Sequence, residues 1–281
     1  MRGIPHINMS RDQDTKTFTT ADGCDIAFTR FPADAAGAPR VILIHPLGLD
    51  RTIWSEVARQ LNGRVELLTY DCRGHGSSGR PRMPFTTELF ANDLAQLLDH
   101  LDWPIVTVVG CSMGGCVAQA FAARYPLRLN GLGLIDTTAW YGADAPRKWR
   151  ERIAAIRACG LEGLLEFQSQ RWFGDAFRQG HPETVAGVSG IFLRNDPECY
   201  VATCIMLGET DLRIFQHLIR VPVAIVVGEE DYATPVSMSQ QMHEAIPGST
   251  LQVLPQVRHL SPVEAPEQIS RQLITLLGRI A

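Results

Sequence analysis

Val106-Thr-Val-Val-Gly110-Cys-Ser112-Met-Gly114-Gly-Cys-Val-Ala-Gln-Ala120 is the stretch that decides how the rest of the chain is read. A short β-branched apolar run meets a glycine-flanked serine, and small residues suited to a closely packed helix follow. The frame Gly110-x-Ser112-x-Gly114 predicts a strained strand-to-helix turn that holds a serine hydroxyl out above a sheet. Its glycines have a steric reason, because strand and helix can approach across the turn only where no Cβ intervenes. The helix N-terminus behind Ser112 aims N–H groups and a positive dipole end at negative charge developing beside the hydroxyl. Ser112 is therefore the candidate nucleophile, rather than an ordinary turn serine. Cys111 beside it reads as a small buried filler.

Working outward, strands and helices alternate. Before the elbow, 17–21 and 24–31 read as two strands joined at Asp22-Gly23, a strong hairpin turn signal. Val41 to His45 is a continuous apolar run of the kind found in doubly covered sheets, and Val65 to Tyr70 is the next strand. After Pro84, Phe90, Leu94, Leu97, Leu98 and Leu101 form one helical stripe. Beyond the elbow, strands are expected at 129–135, 222–227 and 250–254. Thr234-Pro235 reads as a helix start, a capping hydroxyl followed by proline. This alternation implies an α/β protein with a mostly parallel doubly wound sheet. The rhythm breaks over 139–217, which is helical, rich in tryptophan and arginine, and free of obvious strands. The expected organisation is a flexible lead over 1–16, a core of 17–138 and 218–281, and an inserted helical cap over 139–217.

Length and composition bound the function. The chain has 281 residues, 45% apolar and 20% charged, ordinary for a globular domain. A net charge of −4 gives no basic footprint for nucleic acid. No apolar run approaches the ~20 residues that span a bilayer, so no membrane partner is expected. Positions 1–20 are polar and lack a signal-peptide core. Seven cysteines without a C-x-x-C pair argue against a disulfide framework and a zinc site, and for a cytoplasmic location. Neither a metal nor a cofactor is expected, since Arg73-Gly-His-Gly76 fails the dinucleotide pattern. The expected partner is a small-molecule substrate; a homo-oligomer is compatible with the sequence.

A serine nucleophile needs a base, and the base needs an orienting acid. Behind such an elbow the acid and then the histidine follow in chain order. Asp231 after the strand 222–227 and His259 after the last strand meet that order, both just past strand carboxyl ends. Asp136, at the end of the strand 129–135, is the rival acid. His45 and His75 read as loop-organising residues. The oxyanion needs two N–H donors, which map to the backbones of Met113 and Leu47; Pro46 has no N–H.

Four segments carry a resemblance: Leu43-Ile-His45-Pro-Leu-Gly48, Asp71-Cys-Arg-Gly-His-Gly76, Gly110-Cys-Ser-Met-Gly114 and Gly228-Glu-Glu-Asp231. Together they resemble the α/β-hydrolase superfamily across 17–281. The cap is similar to that of 3-oxoadipate enol-lactonases, at Trp149-Arg-Glu-Arg-Ile153, Arg171-Trp-Phe173, Asn195-Asp-Pro-Glu198 with Tyr200, and Asp211-Leu212. His259-Leu-Ser-Pro262 with Glu264 and Pro266 agrees as well. The resemblance implies a hydrolase that opens a small lactone or ester through an acyl-enzyme, in aromatic-acid catabolism. The chain departs from the family after Ile135. Where the family tends to carry Asn-Thr-Ala-Ala and a basic residue, this chain has Asp136-Thr-Thr-Ala139 and Trp140. Arg152 and Arg171 are then the candidates to hold a substrate carboxylate, with Trp140 and Trp149 as further substrate contacts. A carboxylesterase and a carbon–carbon bond hydrolase of ring-cleavage products use the same triad, so fold and triad do not choose between them. A non-catalytic ligand-binding homologue is expected to have lost a triad member or an oxyanion glycine, and none is missing.

Overall fold

The computed structural model describes residues 15–280. The expected lead over 1–16 lies outside these residues up to position 14, and Lys16 already belongs to the first strand. The strands are β1 (Lys16–Thr19), β2 (Asp25–Phe31), β3 (Arg40–Ile44), β4 (Glu66–Tyr70), β5 (Val106–Cys111), β6 (Leu129–Ile135), β7 (Val223–Gly228) and β8 (Thr250–Leu254). They form one eight-stranded sheet in the order β1-β2-β4-β3-β5-β6-β7-β8. β1 and β2 pair antiparallel, as do β2 and β4, and the pairings from β4 through β8 are parallel. The mostly parallel sheet implied by the alternation is thus present. Every residue of β5 and of β7 is buried, as expected where helices cover both faces.

The core helices are α1 (Ser55–Leu61), α2 (Thr87–His100) and α3 (Met113–Arg124) before β6. α3 packs on β3, β5 and β6, with α2 against it. The α2 stripe is buried at Phe90, Leu94, Leu97 and Leu98. The Thr86 hydroxyl caps this helix by accepting from Leu89 N–H at 3.0 Å, a contact that contributes about 1 kcal/mol.

Between β6 and β7 come α4 (Ala145–Cys159), α5 (Leu165–Trp172), α6 (Asp175–Gly180), α7 (Pro182–Leu193), α8 (Pro197–Glu209) and α9 (Arg213–Gln216). An isolated antiparallel bridge pairs Trp140 with Asp211, and Leu212 N–H donates to Ala139 O at 2.9 Å. These contacts draw the two ends of the helical insertion together.

The chain closes with α10 (Val236–Ala245), α11 (Ser261–Glu264) and α12 (Pro266–Leu277). One expectation is corrected at α10: Pro235 is its N-cap residue, and no side chain caps the helix. The Thr234 hydroxyl instead donates to Asp231 Oδ2 at 2.8 Å. A carboxylate is the stronger acceptor and makes the stronger hydrogen bond. Among the described residues no helix is long and apolar enough to cross a membrane.

Candidate active site

Ser112 sits at the top of β5 with φ 53° and ψ −117°. A non-glycine residue held there costs about 1–3 kcal/mol and needs surroundings that impose it. Those surroundings are visible. Ser112 N–H donates to Ile135 O at 2.9 Å, and Ser112 O accepts the Thr137 hydroxyl at 2.6 Å. The glycine frame follows from the same crowding. A Cβ on Gly110 would lie 2.0 Å from Gly114 O, and one on Gly114 would lie 2.3 Å from Ile44 O.

Three loops after strand carboxyl ends bring Ser112, Asp231 and His259 together. His259 Nε2 is 3.0 Å from Ser112 Oγ, and His259 Nδ1 is 2.8 Å from Asp231 Oδ2. Since a carboxylate only accepts, Nδ1 carries the hydrogen and the Nε2 lone pair faces the serine hydroxyl. Asp231 is held on both oxygens. Oδ1 accepts Ala233 N–H and Thr234 N–H at 2.7 and 2.9 Å, while Oδ2 takes His259 and the Thr234 hydroxyl. Burial pushes its pKa up, but the His259 charge and these donors outweigh burial and hold it below the ordinary value. Ser112 is 7% and His259 6% exposed, so little water screens the exchange of charge among them.

Asp136 occupies a different place. Its Oδ1 accepts Gly228 N–H at 3.0 Å, and its Oδ2 accepts Ser261 N–H and Oγ–H at 2.9 and 2.6 Å. It ties β6, β7 and the segment after His259 together, with no hydrogen bond to His259. Burial, and then the charge of Asp231, push its pKa well above the usual value. His45 and His75 do not reach Ser112 either. His45 Nδ1–H donates to Pro46 O at 2.8 Å, and its Nε2 accepts Cys72 N–H at 2.9 Å. Burial lowers the pKa of both imidazoles. The backbone N–H groups of Leu47 and Met113 have no acceptor among the described residues.

A chamber of about 30 Å³ lies at Ser112 and His259, bounded also by Leu47, Gln168 and Thr234. Tyr141, Trp149, Arg152 and Arg171 line both this chamber and an outer cavity of about 510 Å³. Arg152 donates through Nε and Nη2 to Tyr200 Oη at 3.1 and 2.5 Å, and its guanidinium lies over the Trp149 ring. Arg171 makes one 3.5 Å contact to Ala233 O and lies over Phe167. Neither arginine has a carboxylate partner among the described residues. Burial, and then the like charge of Arg152, lower the pKa of Arg171.

Trp140 is not in the site. Arg213 stacks on its ring at 3.6 Å from the centroid, and its neighbour Tyr141 faces the cavity instead. Successive side chains of an extended segment point to opposite sides. The bridge with Asp211 was the signal that sets this alternation, and it is a tertiary one. Tyr141, Gln168 and Leu207 line the site and were not singled out from the sequence, and Thr234 was singled out only as a helix cap. Among the described residues no group of three or more His, Cys, Asp or Glu side chains is placed to hold a metal ion.

Comparison with known proteins agrees with this architecture. The chain is 31% identical over 255 residues to 3-oxoadipate enol-lactonase 2 of Acinetobacter baylyi, covering 91% of this chain and 94% of that protein. It is 30% identical over 237 residues to the pimeloyl-[acyl-carrier protein] methyl ester esterase of Chromobacterium violaceum, covering 82% and 90%. The crystal structure of the enol-lactonase from Burkholderia xenovorans superposes with a TM-score of 0.89 at 27% identity, over 94% of this chain and 100% of that one. A family model described as the alpha/beta hydrolase family matches residues 41–272, and this chain belongs to that family.

Proposed function

We propose that the protein is a serine hydrolase that opens a small carboxylate-bearing lactone or ester through an acyl-enzyme, with 3-oxoadipate enol-lactone as the leading substrate. The observation that carries this reading is the position of Arg152 and Arg171, two cations with no carboxylate hydrogen-bonded to them among the described residues, beside the hydrogen-bonded chain Ser112–His259–Asp231. In this reading the helical insertion 139–217 is a cap that recognises the anion, and the core, 17–138 and 218–281, does the chemistry.

His259 Nε2 takes the Ser112 proton as Oγ attacks the carbonyl, and Asp231 stabilises the imidazolium that forms. Charge developing on the carbonyl oxygen is met by Leu47 and Met113 N–H groups, a contribution of about 10²–10³ in rate for each donor. His259 then gives its proton to the departing ring oxygen, and the released enol becomes a ketone. A water deprotonated by His259 clears the ester on Ser112. A carboxylate held bidentately by the arginines would fix the substrate's orientation during these steps. The similarity to enol-lactonases supports this substrate class.

A fluorophosphonate probe tests the nucleophile. Folded wild type is expected to gain one adduct on the peptide containing Ser112, and Ser112→Ala none. Folded wild type that stays unlabelled would remove the reading.

A further inference from the structure

The chamber at Ser112 has room for little more than one or two water-sized groups. A substrate's carbonyl therefore enters it while the rest of the molecule lies beyond the Tyr141–Trp149–Arg152–Arg171 neck. What lies beyond is much larger than the bare lactone requires. The outer cavity of about 510 Å³ is walled mostly by apolar residues, Ala145, Ala155, Leu164, Phe167, Pro235 and Met238, with the exposed Lys148 also in its lining, and it is within the range of sites for drug-sized ligands. Phe167 and Tyr232 border it at 48% and 52% exposure, so large apolar surface is left uncovered next to the site. Ala155 on α4 and Met238 on α10 line the cavity from different elements, one in the insertion and one in the core.

We propose that the outer cavity is a subsite for an apolar substituent, so that the preferred substrates are amphiphilic esters or lactones with an alkyl or aryl group beyond the carbonyl. The inference rests on Ser112 hydrolysis as read above, and it extends the substrate class beyond the bare enol-lactone to acids that also carry an apolar substituent the arginines do not touch. An order of groups follows from the walls: the carbonyl at Ser112, the carboxylate at the neck, the apolar group outermost. The small alanines set the width, and the uncovered rings lose water contact when the substituent arrives.

The test uses two series followed by pH-stat: methyl esters of straight-chain monoacids, and monomethyl esters of 2-alkylsuccinates. With wild type, kcat/KM is expected to rise about fourfold per added methylene over the first few carbons in both series. Ala155→Trp and Met238→Trp fill the cavity from the insertion and from the core. Within each variant the ratio of longest to shortest ester is expected to fall to about one, whatever the absolute rate. Because the substitutions sit on different elements, failure of one to fold leaves the other to decide. No dependence on length in wild type, or an unchanged slope in a folded tryptophan variant, would overturn the proposal. A length slope without preference for the anionic series would count against the arginine reading and leave this inference standing. Inertness toward both series would overturn the two together.

Discussion

Two pairs of arginines in this molecule, one buried in the core and one half-buried at the cavity, are treated in opposite ways. In the core, Arg51 meets Asp71 at 2.5 Å and Arg73 meets Asp93 at 2.5 Å, all four side chains nearly free of solvent contact. In the insertion, Arg152 and Arg171 face the cavity with aromatic rings and oxygen acceptors but, among the described residues, no hydrogen-bonded carboxylate. Burial, and then the like charge of Arg152, disfavour the charged form of Arg171, while at Arg152 the opposing effect of burial is outweighed by Tyr200 and Cys204, so the cost falls on Arg171. The contrast supports the proposal that the substrate brings the anion for the second pair. The strand-end loops show the reverse economy, with Asp231 and Asp136 satisfied by several donors each.

The largest expected effect lies on the satisfied side. Ser112→Ala should lower kcat by about 10⁶-fold in steady-state assays, as removal of a triad nucleophile does elsewhere. Asp231→Asn should cost about 10⁴-fold, since the asparagine no longer selects the correct histidine tautomer. Asp136→Asn should leave turnover within about tenfold while lowering the melting temperature, because it disturbs buried hydrogen bonds. Interchanged results for the two aspartates would reassign the acid to Asp136.

On the unsatisfied side, Arg171→Met should raise KM for a carboxylate-bearing lactone by about 10- to 100-fold, the loss of a charge-assisted hydrogen bond. Hydrolysis of p-nitrophenyl acetate should change little. The same variant should melt at a higher temperature, because its repulsion with Arg152 is gone. A variant that loses both activities equally would mean that Arg171 is structural, and the comparison would collapse.

The smallest effect tests the seam between the regions. Glu264 accepts Gly174 N–H from the insertion and Arg258 N–H from the His259 loop, each at 2.8 Å. Burial raises its pKa from 4.5 to about 7. The fold thus binds a proton that the unfolded chain has released, and stability should fall as pH rises from 4.5 to 7 and then level off. Denaturant titrations at pH 5 and 8 should show this slope, worth about 1–3 kcal/mol, in wild type and not in Glu264→Gln. An equal slope in the variant would assign it to other groups.

Much of this was legible in the chain. The elbow was readable because its glycines answer a local crowding, the contact of Gly110 with Gly114 that a five-residue pattern encodes. Asp231 and His259 stood out because they follow strands, and strand ends can be read from apolar runs. Chain order and strand position favoured Asp231 over Asp136, which also follows a strand, and of the two only Asp231 is hydrogen-bonded to His259, while Asp136 is taken up by Gly228 and Ser261. Arg152 and Arg171 were visible as residue types, but pairing depends on how α4 and α5 fold back over the sheet. Trp140 drew attention because it stands where the resembling family carries a basic residue, yet the bridge to Asp211 turns it outward and Tyr141 inward. Thr234 likewise looked like a helix cap until the Asp231 carboxylate came within reach.

The most direct test of the account is the ultraviolet loss of 3-oxoadipate enol-lactone, generated in situ, with wild type beside Ser112→Ala and p-nitrophenyl acetate as a control ester. Rapid loss with wild type alone is the predicted result. Hydrolysis of the control ester by wild type without any loss of the lactone would contradict the claim that Arg152 and Arg171 serve this acid.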